Sequence, residues 1–255
     1  MNSRNQGRHA LVTGGRQGIG QAVGQTLAQS GIRVTLLDID PAVDDVAAEM
    51  SSQGLDVGAC RADVSNADGL ADSIRAAQAQ RGSVDILVNS AGITLKPGDT
   101  KARIEELPLS QWRRVVDVNL MGVFLCCQAV VPGMRSNRWG RIITLSSQGG
   151  RTGGVFSSVD YSASKAGVIG FSRTLALELG PDGITVNCVA PGRVATPMAS
   201  SPAEASLSLA FIGNLPIPRV AEPAEIAAAI AFLASDSAGY ITGATLDING
   251  GGFMA

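Results

Sequence analysis

An alternation constrains this chain more than any other feature. Seven short runs rich in β-branched and aliphatic residues recur along it: HALVT (9–13), RVTLLD (33–38), DVGAC (56–60), VDILVN (84–89), GRIITLS (140–146), ITVNCVA (184–190) and ATLDIN (244–249). Longer stretches with helical apolar spacing fill the gaps, among them IGQAVGQTLAQSG, which stops on Gly31, and PAEIAAAIAFLASDSAG, which starts on Pro223. Strands that alternate with helices in this way build a parallel sheet covered on both faces. The expectation is an α/β chain, doubly wound, with about seven parallel strands and helices on both faces. No linker or repeat divides it, so residues 1–255 read as one domain, with the small-residue and apolar stretch 198–218 as a lid within it.

Composition narrows the function classes. Hydrophobic residues at 45% against charged residues at 16% exclude a disordered chain and leave large apolar helix faces to cover. Net charge is −2, and Arg113-Arg114 with scattered Arg135, Arg138 and Arg141 make no basic stripe, so no nucleic-acid partner is expected. The N-terminus has no apolar h-region and no run of 18 apolar residues follows, so neither secretion nor membrane insertion is expected, and the cytoplasm is the expected compartment. Cys60, Cys126, Cys127 and Cys188 show no CxxC spacing and read as small buried hydrophobes. His9 is the single histidine, which excludes a His-centred triad and a His-rich metal site. Proton transfer must use another residue.

The first strand candidate runs into TGGRQGIG, where Gly14, Gly18 and Gly20 are spaced GxxxGxG. Such glycines let backbone turn sharply against a pyrophosphate, and the helix starting near Ile19 offers unpaired N–H groups and a positive dipole end. A plain tight turn has the same composition; placement straight after the first strand favours a dinucleotide. Asp38 ends the second strand, where a carboxylate can cap the next turn or accept both hydroxyls of an adenosine ribose while repelling a 2′-phosphate, which favours NAD over NADP. Arg16, inside the loop, is placed to meet a 2′-phosphate and works against that preference. In YSASK, Tyr161 and Lys165 lie four apart on one helix face, with Cβ atoms roughly 6 Å apart. An ammonium there is expected to lower the phenol's pKa from its usual value of about 10. An ordinary amphipathic helix carries such pairs too.

Together these residues resemble the short-chain dehydrogenase/reductases. The resemblance runs nearly the whole chain, in order: TGGRQGIG, ADV (62–64), NSAG (89–92), Asn119, Ser146-Ser147, YSASK, PGRVATPM (191–198) and ITGATLDINGG. It implies a Rossmann fold and an oxidoreductase that moves a hydride between a nicotinamide and a secondary alcohol or ketone, without metal. By this resemblance, Gly14, Arg16, Gln17, Gly18, Ile19 and Gly20 hold the pyrophosphate side, and Asp38 with Ile39 the ribose. Asp63 and Val64 contact the adenine. Asn89, Ala91 and Gly92 support the cofactor backbone, with Ser90 where a second Asn is common. Pro191, Gly192, Val194 and Thr196 orient the nicotinamide carboxamide. Tyr161 is the general acid for reduction and the base for oxidation; Lys165 stabilises its phenolate and bonds the cofactor ribose. Ser147 binds the substrate oxygen, with Ser146 as the rival, and Asn119 holds a water linked to Lys165.

The substrate pocket is expected around Ser147, Gln148, Gly149, Arg151, Val155, Ile93, Leu95, Gly192, Met198 and the lid, with Tyr161 at its base. Gln148 suits a substrate hydroxyl and Arg151 a carboxylate, although a solvent-facing Arg151 is the plainer reading. The leading expectation is therefore an NAD-dependent dehydrogenase of a polyol, sugar or other small hydroxy compound. The alternative is a 3-oxoacyl-thioester reductase using NADPH, for which Arg138 would greet an acyl carrier protein and Asp182 would repel it. A non-catalytic nucleotide-binding protein is the remote third reading. The apolar helices RVVDVNLMGVFLCCQAVV and AGVIGFSRTLALELG suit burial against neighbouring subunits, and the resemblance implies a homotetramer.

Overall fold

The computed structural model describes residues 7–95, 102–154, 156–199 and 205–255. In chain order its main elements are β1 (His9–Thr13), α1 (Gly18–Gln29), β2 (Arg33–Asp38), α2 (Val43–Ser52), β3 (Val57–Arg61), α3 (Ala67–Arg81) and β4 (Ile86–Asn89). There follow α4 (Leu109–Val116), a π-turn (Asp117–Met121), α5 (Gly122–Asn137), β5 (Gly140–Leu145), α6 (Gly149–Thr152) and α7 (Val159–Leu179). The chain ends with β6 (Ile184–Pro191), α8 (Ala205–Gly213), α9 (Pro223–Leu233) and β7 (Thr245–Ile248). The seven strands form one parallel sheet in the order β3-β2-β1-β4-β5-β6-β7. All seven expected strands are present, with ends shifted by a residue or two.

Alternation along β1 shows how the layers form. Ala10 and Val12 pack with Val23 and Leu27 of α1, Ala47 of α2 and Ile226 and Ile230 of α9 on one face. Leu11 packs with Ile74 of α3, Val123 and Val130 of α5 and Val168 of α7 on the other. The winding reverses between β1 and β4, and a doubly wound sheet opens its crevice there, beyond the carboxyl ends of the strands. The helical run Leu109–Asn137 is long and apolar enough, by length and composition alone, to cross a membrane. Here its inward residues Val123, Cys126, Cys127, Val130 and Met134 belong to the core beside Leu87 and Ile142 of the sheet. Cys126, Cys127 and Cys188 are buried, Cys60 is half-buried, and all four are free thiols.

The sequence reads as one unbroken helix through Asn119. The structure instead inserts the π-turn, and a wider turn shifts the side-chain register that follows it. Asn119 is thereby fully buried.

Candidate active site

The carboxyl ends of the strands open on a cleft of about 700 Å³. Its floor is bare backbone. Gly14 has φ +67°, and a Cβ there would stand 2.9 Å from Ala91 Cα; one at Gly20 would stand 2.1 Å from the Gly14 carbonyl oxygen. Thr13 Oγ1 accepts from the Ser90 and Ala91 N–H groups at 3.1 and 3.0 Å, tying the glycine loop to the turn after β4. No side chain caps α1, whose first turn faces this floor from Gly18 onward. Asp38 sits at the edge of the cleft, accepting from the Arg16 N–H and the Asp40 N–H, both at 3.1 Å. Gln17, Ile19, Ile39, Asp63, Val64, Gly92, Pro191, Gly192, Val194 and Thr196 also line it. The loop carrying Val194 is pinned by a parallel bridge to Ala221. Asn89 does not line the cleft: its amide is buried, donating to Thr144 Oγ1 at 3.2 Å between β4 and β5.

Farther along lie Ser147, Tyr161 and Lys165. The first turn of α7 is fixed by Asp160, fully buried, whose carboxylate accepts from the Tyr161 N–H (2.8 Å), Gln111 Nε2 (3.1 Å) and Ser158 Oγ. Ser147 and Tyr161 hydrogen-bond through their side chains, and Ser147 Oγ also accepts from the Gly149 N–H at 3.1 Å. Ser146 is committed elsewhere: its buried hydroxyl donates to the Lys165 carbonyl at 2.7 Å. Lys165 Nζ donates to the Leu145 carbonyl at 2.7 Å and stands 5.8 Å from the Tyr161 ring centroid. The expected acidification of Tyr161 by Lys165 is therefore corrected. Burial raises the phenol's pKa, the Ser147 hydrogen bond offsets this only in part, and burial lowers the Lys165 pKa to about 8. Desolvation outweighs attraction between the two groups because the ammonium is aimed at a carbonyl.

Asn119 lies behind this group and does not line the cleft. Its Oδ1 accepts from the Ile93 N–H at 2.8 Å, and its Nδ2 donates to the Ile93 carbonyl (3.0 Å) and Ser164 Oγ (3.1 Å). A Cβ on Gly92 would come 3.3 Å from both Asn119 Oδ1 and Lys165 Nζ, so the two heads converge on that glycine. What Asn119 holds here is the Ile93 backbone, which places Gly92 against Lys165.

At the substrate end Gln148 lines the cleft and donates from Nε2 to the Gly252 carbonyl at 3.0 Å, and Met198 is half-exposed at the mouth. Arg151 is corrected on both expectations. It faces neither substrate nor solvent, because Nη2 pairs with Asp247 at 3.0 Å and the guanidinium stacks on Phe253 at 4.9 Å. Val155 and residues 200–204 of the expected lid lie outside the described residues. Sequence reasoning missed Phe156 and Arg193, which stack at 4.9 Å, and did not single out Phe211 within the expected lid, whose ring meets Phe156 edge to face at 5.5 Å. All three line the cleft. The scarcity of aromatic residues was the one available signal, since each of the few phenylalanines is a candidate wall.

A family model described as Enoyl-(Acyl carrier protein) reductase matches residues 14–252. The chain belongs to the short-chain dehydrogenase/reductases. A 3-oxoacyl-[acyl-carrier-protein] reductase of Synechocystis sp. is 42% identical, covering 96% of each chain. An acetoacetyl-CoA reductase of Shinella zoogloeoides is 39% identical, covering 97% of this chain and 99% of that one. The crystal structure of a Brucella melitensis 3-oxoacyl-[acyl-carrier protein] reductase with bound NAD superposes with a TM-score of 0.92 at 35% identity, covering 98% and 92%.

This short-chain dehydrogenase/reductase is thus an oxidoreductase acting on a keto/CH–OH group with a nicotinamide cofactor. The glycine floor, the uncapped α1 and the continuous lining from Asp38 to Thr196 fit such a dinucleotide. The leading expectation of a polyol or sugar dehydrogenase is overturned, because full-length relatives near 40% identity are 3-oxoacyl-[acyl-carrier-protein] reductases. Nor does Asp182 stand where it could repel a carrier protein at the cleft mouth. Asp182 and Arg138 precede β6 and β5, at the amino ends of the strands and so opposite this chain's cleft, and Asp182 pairs with Arg135 at 3.1 Å.

Proposed function

We propose that this chain reduces a 3-oxoacyl thioester to the 3-hydroxyacyl thioester within one dinucleotide-binding and catalytic domain. The observation that carries the reading is full-length similarity to reductases of that substrate class, joined to a cleft whose far wall is apolar and aromatic. The glycine loop would hold the pyrophosphate and the Pro191–Thr196 loop the nicotinamide end of a reduced dinucleotide, which would supply the hydride for the carbonyl carbon. Ser147 directs its hydroxyl at the substrate oxygen and Tyr161 gives that oxygen its proton. The raised pKa of Tyr161 keeps the phenol protonated, and so able to donate, through neutral and mildly alkaline pH. After transfer, the phenolate is left beside the Lys165 ammonium and the Ser147 hydroxyl. Asp160 and Asn119 hold α7 and the Gly92 turn at the spacing these steps need.

Asp38, with two carboxylate oxygens at the ribose end, supports NAD over NADP. The remaining parts of the reading are a lid over 198–218, a homotetramer formed through the apolar faces of α5 and α7, and a cytoplasmic site of action. Initial rates followed by nicotinamide absorbance test the activity. Oxidation of NADH by acetoacetyl and longer 3-oxoacyl thioesters is expected; no turnover of any 3-oxoacyl thioester with either dinucleotide would reject the substrate class.

A further inference from the structure

We propose that Asp40 sets cofactor choice by holding the Arg16 guanidinium away from a ribose phosphate. The inference rests on the nicotinamide-dinucleotide reading of the cleft and adds a residue that no sequence motif marks. Two carboxylates grip Arg16 at opposite ends. Asp38 Oδ2 accepts from its main-chain N–H at 3.1 Å, and Asp40 Oδ2 pairs with its side-chain Nε at 3.0 Å. Asp40 cannot drift from that position, because its Oδ1 accepts from the Ala42 N–H at 2.9 Å and its own N–H donates to Asp38 Oδ1 at 3.1 Å. Arg16, Asp38 and Asp40 all line the cleft at the ribose end.

NAD and NADP differ there by one phosphate carrying nearly two negative charges. A cation that could receive it is present in Arg16, and Asp40 engages its Nε and offsets its charge. The pair is part-exposed, with side chains 31% and 42% accessible, so it adds little to folding stability. Selectivity is a difference between two ligands, however, and a group that withdraws a partner of the phosphate acts on one ligand only. Asp40 is in this sense a positioning residue, working through Arg16.

The test is a set of dissociation constants for NADH and NADPH, read by nicotinamide fluorescence, on the wild type, Asp40→Asn, Arg16→Ala and the double variant. Asparagine keeps an oxygen for the Ala42 N–H and cannot hold an ion pair; Asp40→Ser serves if Asp40→Asn folds poorly. Asp40→Asn is expected to shift the NADPH-to-NADH affinity ratio toward NADPH by about tenfold, as a freed charge-assisted bidentate partner allows. The same replacement in the Arg16→Ala background is expected to move the ratio by less than about twofold. Equal shifts in both backgrounds would mean that Asp40 repels the phosphate directly and would overturn the proposal, as would an unchanged ratio in Asp40→Asn. Failure of the wild type to bind either dinucleotide would instead overturn the nicotinamide reading itself.

Discussion

Burial of the Lys165 ammonium has a measurable cost in the cofactor-free protein. The side chain is 5% exposed, its Nζ is satisfied by the Leu145 carbonyl, and its pKa falls from 10.5 to about 8. Because the folded value lies below the unfolded one, the charged form is the disfavoured one. The penalty is complete below about pH 8, is relieved as pH rises, and is gone near pH 10.5. At about 1.4 kcal/mol per pH unit the full span amounts to roughly 3 kcal/mol, and about 2 kcal/mol of it is recovered by pH 9.5. Lys165→Met removes the charge and keeps the length, at a cost of about 1 kcal/mol for the lost hydrogen bond. The assay is urea unfolding of both proteins, without cofactor, from pH 7.5 to 9.5. Groups common to both and uncoupled from Lys165, such as the Cys127 thiol whose pKa burial raises, cancel in the difference. Wild type is expected to gain about 2 kcal/mol on the variant across that range; a flat difference would refute the desolvation argument.

Tyr161→Phe is expected to remove turnover while NADH still binds within about threefold, and substantial residual turnover would end the proton-donor role. Arg151→Ala leaves the part-buried Asp247 carboxylate without its cation and strips a stacking partner from Phe253, so thermal unfolding should show a loss of about 2–3 kcal/mol. An unchanged melting temperature would contradict that reading. Phe211→Ala removes half of the edge-to-face pair at the substrate end and should change kcat/KM between four-carbon and eight-carbon 3-oxoacyl thioesters by about tenfold relative to each other. Equal effects on both lengths would show that the pair does not contact the chain.

The strands were legible because buried parallel strands read as short runs dominated by aliphatic and β-branched residues, as Ile86–Asn89 and Ile184–Pro191 do. The glycine loop was legible for a similar reason: at Gly20 no side chain fits. What stayed hidden depends on contacts far apart in sequence. Arg151 was misread because Asp247 lies on β7 at the other end of the chain, and nothing local distinguishes a paired arginine from a solvated one. Helical spacing correctly put Lys165 on the Tyr161 face, yet spacing does not say where the ammonium points, and the Leu145 carbonyl decided that. Phe156 and Phe211 meet only once α8 folds back over the cleft.

The π-turn at Asp117–Met121 is in effect one surplus residue inside a helix. An α-helix advances about 100° per residue, so deleting one residue of the turn beside Asn119 would let the hydrogen bonds close as an ordinary helix and swing Asn119 by about that angle away from Ile93. The turn works like a vernier between two scales, α4 set by one surface and α5 by another, with Asn119 at the reading mark. A gain or loss of one residue, harmless in most surface loops of this fold, would here detach Gly92 from its hold beside Lys165, although Asn119 itself does not line the cleft.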